Sequence, residues 1–170
     1  MNGVDVGSLV LRVCVGFVMF AHGWNHAFRG GKLEGTGRWF ESIGIKPGWL
    51  NARLATYTEL LVGPMLMLGL LTPLAAAGVV GTMSVALIAN HLKNGFFIFR
   101  PGEGYEYVVT LIAAAVCIGA IGGGRISIDN ALGIADDFEG AGAAALTFFG
   151  GAAGSALTLL LFWRPSRRAS

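Results

Sequence analysis

Residues 8–28, SLVLRVCVGFVMFAHGWNHAF, decide the fold class. This stretch contains one formal charge, Arg12, in a run long enough to cross a bilayer, which takes about 20 predominantly apolar residues. At about 100° per residue, Ser8, Arg12, Gly16, Met19, His22, Gly23 and His26 fall on one side of a helix. Val10, Val13, Phe17, Phe20, Trp24 and Phe28 fall on the other. A small and polar face opposite a large apolar one describes a helix that packs in a bundle and turns its aromatics to lipid. An intramembrane charge is costly, so it belongs against protein or water.

Four further segments have similar character: Leu54–Leu71, Leu74–Leu92, Tyr105–Ile121 and Ala141–Trp163. With Ser8–Phe28 they make an all-α membrane protein, a four-helix transmembrane bundle with a fifth C-terminal helix. The composition agrees, at 54% hydrophobic and only 13% charged residues, against about 25% charged in soluble domains. A net charge of +2 with no basic stripe gives no reason to expect a nucleic-acid partner. Cys14 and Cys117 lie in apolar segments, match no CxxC spacing, and read as small buried hydrophobes. The first segment lacks a basic leader and a cleavage site, so it reads as a retained span.

Ten of the twelve Lys and Arg residues lie in 29–53, 93–104 and the tail from Arg164. The opposite side has only Arg125, within an acidic loop bearing Asp129, Asp136, Asp137 and Glu139. By the positive-inside rule the N-terminus is expected outside and the C-terminus in the cytoplasm. Within residues 30–53, Trp39, Phe40, Ile43, Ile45, Trp49 and Leu50 alternate with charges and suggest a helix lying in the interface. Arg164, Arg167 and Arg168 beside Trp163 suggest an interfacial anchor.

Because chain direction alternates, the end of span one meets the start of span two, the end of span three and the start of span four. That brings His22, Asn25, His26, Glu59, Asn90, His91, Asn94 and Glu106 to one side, including every histidine in the chain. His22, Glu59, His91 and Glu106 are the candidate catalytic set, with Asn25, His26 and Asn94 as ligand-binding support. A His beside a carboxylate suits a proton relay, and the same groups can hydrogen-bond a quinone's carbonyl oxygens. His22 and His26, one turn apart, with His91 and a Glu, also offer metal-ligand types, but the spacing is only suggestive and no metal site is assigned. Haem held by His22 and His91 finds no supporting motif. Arg12 is expected to pair with Asp129 of the outer loop. On the last helix Thr147, Gly150, Gly154 and Thr158 form a small face, with Gly150 and Gly154 expected to pack on the bundle or a partner. Pro64 is expected to bend the second span.

The motifs, taken in order, resemble a family. Leu11-Arg12-Val13 and AHGWNH (21–26) resemble the start of DoxX-family membrane proteins, as do GRWFESIGI (37–45), TELLVG (58–63) and LGLLTPLAA (68–76). NHLKNGFF (90–97), GYEY (104–107) and GGGRISID (122–129) resemble the later motifs. The resemblance implies a bacterial four-helix membrane bundle similar to the small subunit of thiosulfate:quinone oxidoreductase, in a family linked to quinol oxidases and to redox complexes handling thiols. It covers about Leu9 to Asp129, and residues 1–129 are taken as the DoxX-like four-helix bundle. Residues 130–170 add the acidic loop, the fifth helix and the basic tail, a departure from a four-helix member. The function expected is a plasma-membrane subunit of a quinone-linked redox or respiratory system, working with other redox-complex subunits. The alternatives are a non-enzymatic scaffold subunit whose fifth helix recruits a partner, and a small-molecule or lipid transporter.

Overall fold

The computed structural model describes residues 2–165, so Arg167 and Arg168 of the expected anchor lie outside the described residues. The helices are α1 (Gly3–Phe28), α2 (Lys32–Ser42), α3 (Gly48–Leu68), α4 (Thr72–Ala86), α5 (Glu106–Ile121), α6 (Ile128–Ala131) and α7 (Gly140–Phe162). A π-helical turn, Leu87–His91, and a 3-10 turn, Leu92–Asn94, prolong α4. The protein is an all-α membrane protein. Three runs are long and apolar enough to cross a membrane: α1, Thr72–Asn94 and α7. α5 is shorter, and α3, which carries Arg53 and Glu59, is not among them. Both nevertheless lie alongside the others in one bundle.

The interface between α1 and α3 is made by glycines. A Cβ on Gly16 would stand 2.5 Å from the Gly63 carbonyl oxygen, and one on Gly63 would stand 2.7 Å from the Gly16 oxygen. No side chain fits between these backbones. Further along, Gly23 meets Glu59 and Leu60, so the two helices run antiparallel. The inward face of α1 is Ser8, Arg12, Val15, Gly16, Met19 and Gly23, while Val10, Val13, Phe17, Trp24 and Phe28 are exposed, close to the face the helical spacing predicts; His22, expected inward, is exposed, and His26 and Phe20 are half-buried. On α5 the buried face is Val108, Leu111, Ala115 and Ile118; Thr110, Ala113 and Cys117, expected inward, are exposed.

Arg12 closes one end of the bundle. It is fully buried; its Nη1 donates to the Leu66 carbonyl at 3.0 Å and its Nη2 to the Ile126 carbonyl at 2.6 Å. Its Nε donates to Ser8 Oγ, whose hydroxyl donates to the Gly122 carbonyl. Asp129, also fully buried, accepts from Leu71 N, Thr72 N and the Thr72 hydroxyl at 2.6–2.9 Å. The expected Arg12–Asp129 pair is therefore not made directly, since neither charge is within 4.0 Å of the other. Each sits instead on a helix terminus of opposite polarity, Arg12 at the C-terminus of α3 and Asp129 at the N-terminus of α4. The chain turns between those helices through Gly69 and Leu71, both left-handed, and Pro73 stands in the first turn of α4, where its missing N–H costs nothing.

The last helix is part of the bundle. Thr147 donates to the Pro73 carbonyl at 3.1 Å, and Gly151 lies against Ala77 and Val80, so α7 runs parallel to α4. The expected contact glycines, Gly150 and Gly154, are displaced from this seam. A Cβ on Gly151 would lie 2.6 Å from the Ala77 oxygen, whereas one on Gly154 would meet nothing within 4 Å. The buried face is Ala143, Thr147, Gly151 and Ser155. At the far end Ile45 and Trp163 form an antiparallel bridge, flanked by Lys46 N to the Phe162 carbonyl at 2.8 Å and Arg164 N to the Gly44 carbonyl at 2.6 Å. The termini thus lie at opposite ends, with Arg12 at one and His26 at the other.

Replacing Arg12 with Leu would strand the Ile126 carbonyl in an apolar setting and leave the Leu66 carbonyl only its bond from Gly69 N. A stability loss of about 2–4 kcal/mol is expected, with a smaller loss for Asp129→Ala, measured by thermal or denaturant unfolding in micelles. Gly151→Ala should destabilise by about 1–3 kcal/mol through overpacking. Gly150→Ala, whose Cβ would make only an ordinary 3.9 Å contact with Ala77, should leave the unfolding midpoint unchanged.

Candidate functional site

The last two turns of α1 deliver His22, Asn25 and His26 to the end opposite Arg12. The close approach at Gly23, where a Cβ would stand 3.0 Å from Glu59 Cβ, sets His26 beside Glu59 one turn later. His26 Nε2 lies 3.7 Å from Glu59 Oε2, the one acid–base side-chain pair within 4.0 Å among the described residues. Glu59 is 4% exposed, and Oε2 has no hydrogen-bond partner within reach.

The surroundings define which nitrogen of His26 carries the proton. Its Nδ1 is 3.3 Å from Thr36 Oγ1 on α2, and that hydroxyl donates its own proton to the Lys32 carbonyl at 3.1 Å. Nδ1–H must therefore be the donor to Thr36, which leaves Nε2 of a neutral imidazole bare and facing Glu59. Two bare acceptors do not attract. At 3.7 Å the two groups face each other without a direct hydrogen bond, and Glu59 Oε2 is left with no donor of its own.

His22 lies on the same face. Its ring is 6.5 Å from the His26 ring and stacks on Tyr107 of α5 at 6.5 Å and 24°. His91 is carried by the π-helical turn and bonds through Nδ1 to the Glu103 carbonyl at 3.0 Å. π turns of this kind often mark functional positions because they re-aim the side chains of a helix.

These groups line one cavity of about 930 Å³ that also reaches α2 and α7. The expected residues His22, Asn25, His26, Glu59 and His91 all line it, as do Gly150 and Gly154. Glu106 and Asn94 do not. Glu106 Oε2 accepts from Ile98 N at 3.2 Å, and the Asn94 amide reaches the Gly102 and Glu103 carbonyls at 2.6 and 3.0 Å. Both brace the 95–105 loop. Their place at the cavity is taken by Glu103 and Tyr107, and sequence reasoning missed both. Tyr107 was one residue from the acid that drew attention, and only its amphipathic ring could have marked it. Asn51, also missed, sits in the wall from the first turn of α3 and is 4% exposed.

The wall mixes imidazoles, amides, hydroxyls and carboxylates with small and apolar residues such as Ala77, Gly78, Gly81 and Val85 of α4. Among the described residues no Lys or Arg lines it. A largely apolar cavity with a few convergent polar groups is the usual form of a small-molecule site, and about 300–1,000 Å³ is their usual range.

Comparison with known proteins agrees with this architecture. The DoxX family model matches residues 7–92, which run from α1 through the π-helical turn that carries His91. A Bacillus subtilis (strain 168) protein described as "Putative oxidoreductase CatD" is 35% identical over 92 residues, which is 54% of this chain and 65% of that protein. The chain thus spans just under two thirds of that relative's length. No solved structure matches. With half of its length matched by the family model, over four of the helices that line the cavity, this chain belongs to the DoxX family.

Proposed function

We propose that the protein is a bacterial plasma-membrane subunit of a quinone-linked redox system, and that its cavity takes the quinone head group. The observation that carries this reading is Glu59, 4% exposed in the cavity wall, with its Oε2 unpartnered and facing His26 Nε2 at 3.7 Å. A quinone oxygen needs a hydrogen-bond donor when oxidised and a proton when reduced, and Glu59 Oε2 is a buried polar atom with no other partner. His26 holds the second proton-carrying position, with its tautomer set by Thr36. His22 and Tyr107 supply a stacked edge along which a flat ring can lie. Electrons come from a partner redox subunit; the two that reduce a quinone are matched by two protons, delivered through the His26–Glu59 pair and replaced from the aqueous side by way of His91. The similarity to a protein described as an oxidoreductase supports a redox role.

In the favoured orientation the His26 end faces the cytoplasm, where the basic residues of 29–53 and 93–104 gather.

Two measurements test this. Full-length protein in nanodiscs should bind a tail-less benzoquinone with saturable quenching of Trp39, a tryptophan in the cavity wall. His26→Ala and Glu59→Gln should each weaken binding about tenfold, the loss expected for one good hydrogen bond to a buried polar group. Wild-type affinity in both variants would sink the reading. For orientation, single cysteines at Asp136 and Glu34, in a background with Cys14 and Cys117 replaced by Ser, should be labelled from outside intact cells at position 136 only. The reverse pattern would invert the topology.

A further inference from the structure

Among the described residues three carboxyl side chains are buried, and the fold treats them differently. Asp129 accepts from Leu71 N, Thr72 N and the Thr72 hydroxyl, and Asp5 accepts from the backbone N–H groups of Asn2 and Arg125. Glu59 is buried as thoroughly, yet its Oε2 receives no donor. His26, the one base within 4.0 Å, turns Nε2 toward it at 3.7 Å, too long for a hydrogen bond. A carboxylate set in an apolar bundle is costly until a proton or a cation neutralises it.

The cavity that Glu59 lines holds no fixed cation to do so. Its permanently ionisable lining consists of Glu59 and the exposed Glu103, and among the described residues no Lys or Arg joins them. The imidazoles of His22, His26 and His91 carry charge only when protonated. Trp39 and Phe40 of α2 and Tyr107 of α5 add aromatic rings to the same wall. Ring faces attract cations through their quadrupole, most strongly where water is excluded.

The wall also selects the kind of cation. A resident metal ion calls for about four or more ligands, and among the described residues no three His, Cys, Asp or Glu side chains gather to hold one. An anionic molecule would meet two carboxylates and no base. A large organic cation spreads its charge under an apolar body and so loses less than a small ion on leaving water. A cavity of about 930 Å³ has room for one.

We infer that the cavity is a binding site for a lipophilic organic cation of the quaternary ammonium or phosphonium kind, with Glu59 as its counter-ion and Trp39, Phe40 and Tyr107 as its aromatic wall. This goes beyond the quinone reading and does not rest on it. A cation at Glu59 occupies the space a quinone ring would take, so the two ligands exclude one another.

The test is equilibrium binding of tetraphenylphosphonium to the full chain in zwitterionic nanodiscs, with empty nanodiscs subtracted. It is run at about pH 8, above the ordinary titration range of histidine. Triphenylphosphine oxide, a neutral molecule of similar shape whose oxygen accepts hydrogen bonds, is the comparison. The phosphonium should bind saturably and at least about tenfold more tightly than the oxide. Glu59→Gln, which keeps the size of the side chain, should bring the two probes to within about twofold of each other. Retained binding of the oxide in that variant shows that its cavity is intact. No saturable phosphonium binding, equal binding of the oxide to the wild type, or wild-type phosphonium affinity in Glu59→Gln would each overturn the inference. The wild-type comparison requires no variant to fold. Quinone binding is read separately through Trp39, so either reading can fail while the other stands.

Discussion

Arg12 is a cation with no solvent and no direct counter-ion, and the bundle is arranged around satisfying it. Its guanidinium collects the terminal carbonyls of α3, the Ser8 hydroxyl and the Ile126 carbonyl, groups at helix ends and in a loop with acceptor capacity left over. Asp129 does the complementary work at the first N–H groups of α4. In a membrane these orphan groups cannot turn to water, so a charge at each terminus replaces the missing partners. Helices α1, α3 and α4 and the 122–129 loop are thereby fastened together at one end. An ion pair in direct contact would satisfy the two charges and leave the helix ends open.

With that end pinned, the glycine seam between α1 and α3 and the seam between α4 and α7 carry the helices on as two closely packed pairs. The space between them widens toward the other end, where α2 and the 43–46 loop cross. The cavity lies there, and the polar residues of four helices converge on it. Glu59 reaches it because Gly23 lets α1 approach so closely, and His26 faces Glu59 with a defined tautomer because α2 brings Thr36 to its other nitrogen. The juxtaposition of His26 and Glu59 is therefore a product of backbone approach and a short interfacial helix.

The inward face of α1 could be read from its residues because Ser8, Arg12, Gly16 and Gly23 contrast with Val10, Phe17 and Trp24 at helical spacing. The face of α5 could not. Val108, Leu111, Ala115 and Ile118 differ too little from the lipid-facing residues for periodicity to show, and the polar marker Glu106 serves the loop. The same ambiguity affected α7, where adjacent glycines at 150 and 151 have opposite roles, one open and one in contact. Choosing between Glu103 and Glu106 required the path of the 95–105 loop, set by Asn94 and the left-handed Glu103.

By itself the sequence determined that this is a helical membrane protein, that Arg12 and Asp129 had to be satisfied within it, and that its histidines would meet Glu59 at one end. Those conclusions follow from hydropathy, from the cost of buried charge and from alternating chain direction, all of which are local or additive. Tertiary structure alone decided that Arg12 and Asp129 serve helix termini, that Glu103 and Tyr107 join the cavity in place of Glu106 and Asn94, and that Gly154 borders open space. Each of these depends on how closely two backbones approach and how they are rotated, and a shift of one residue on a helix turns a side chain by about 100°.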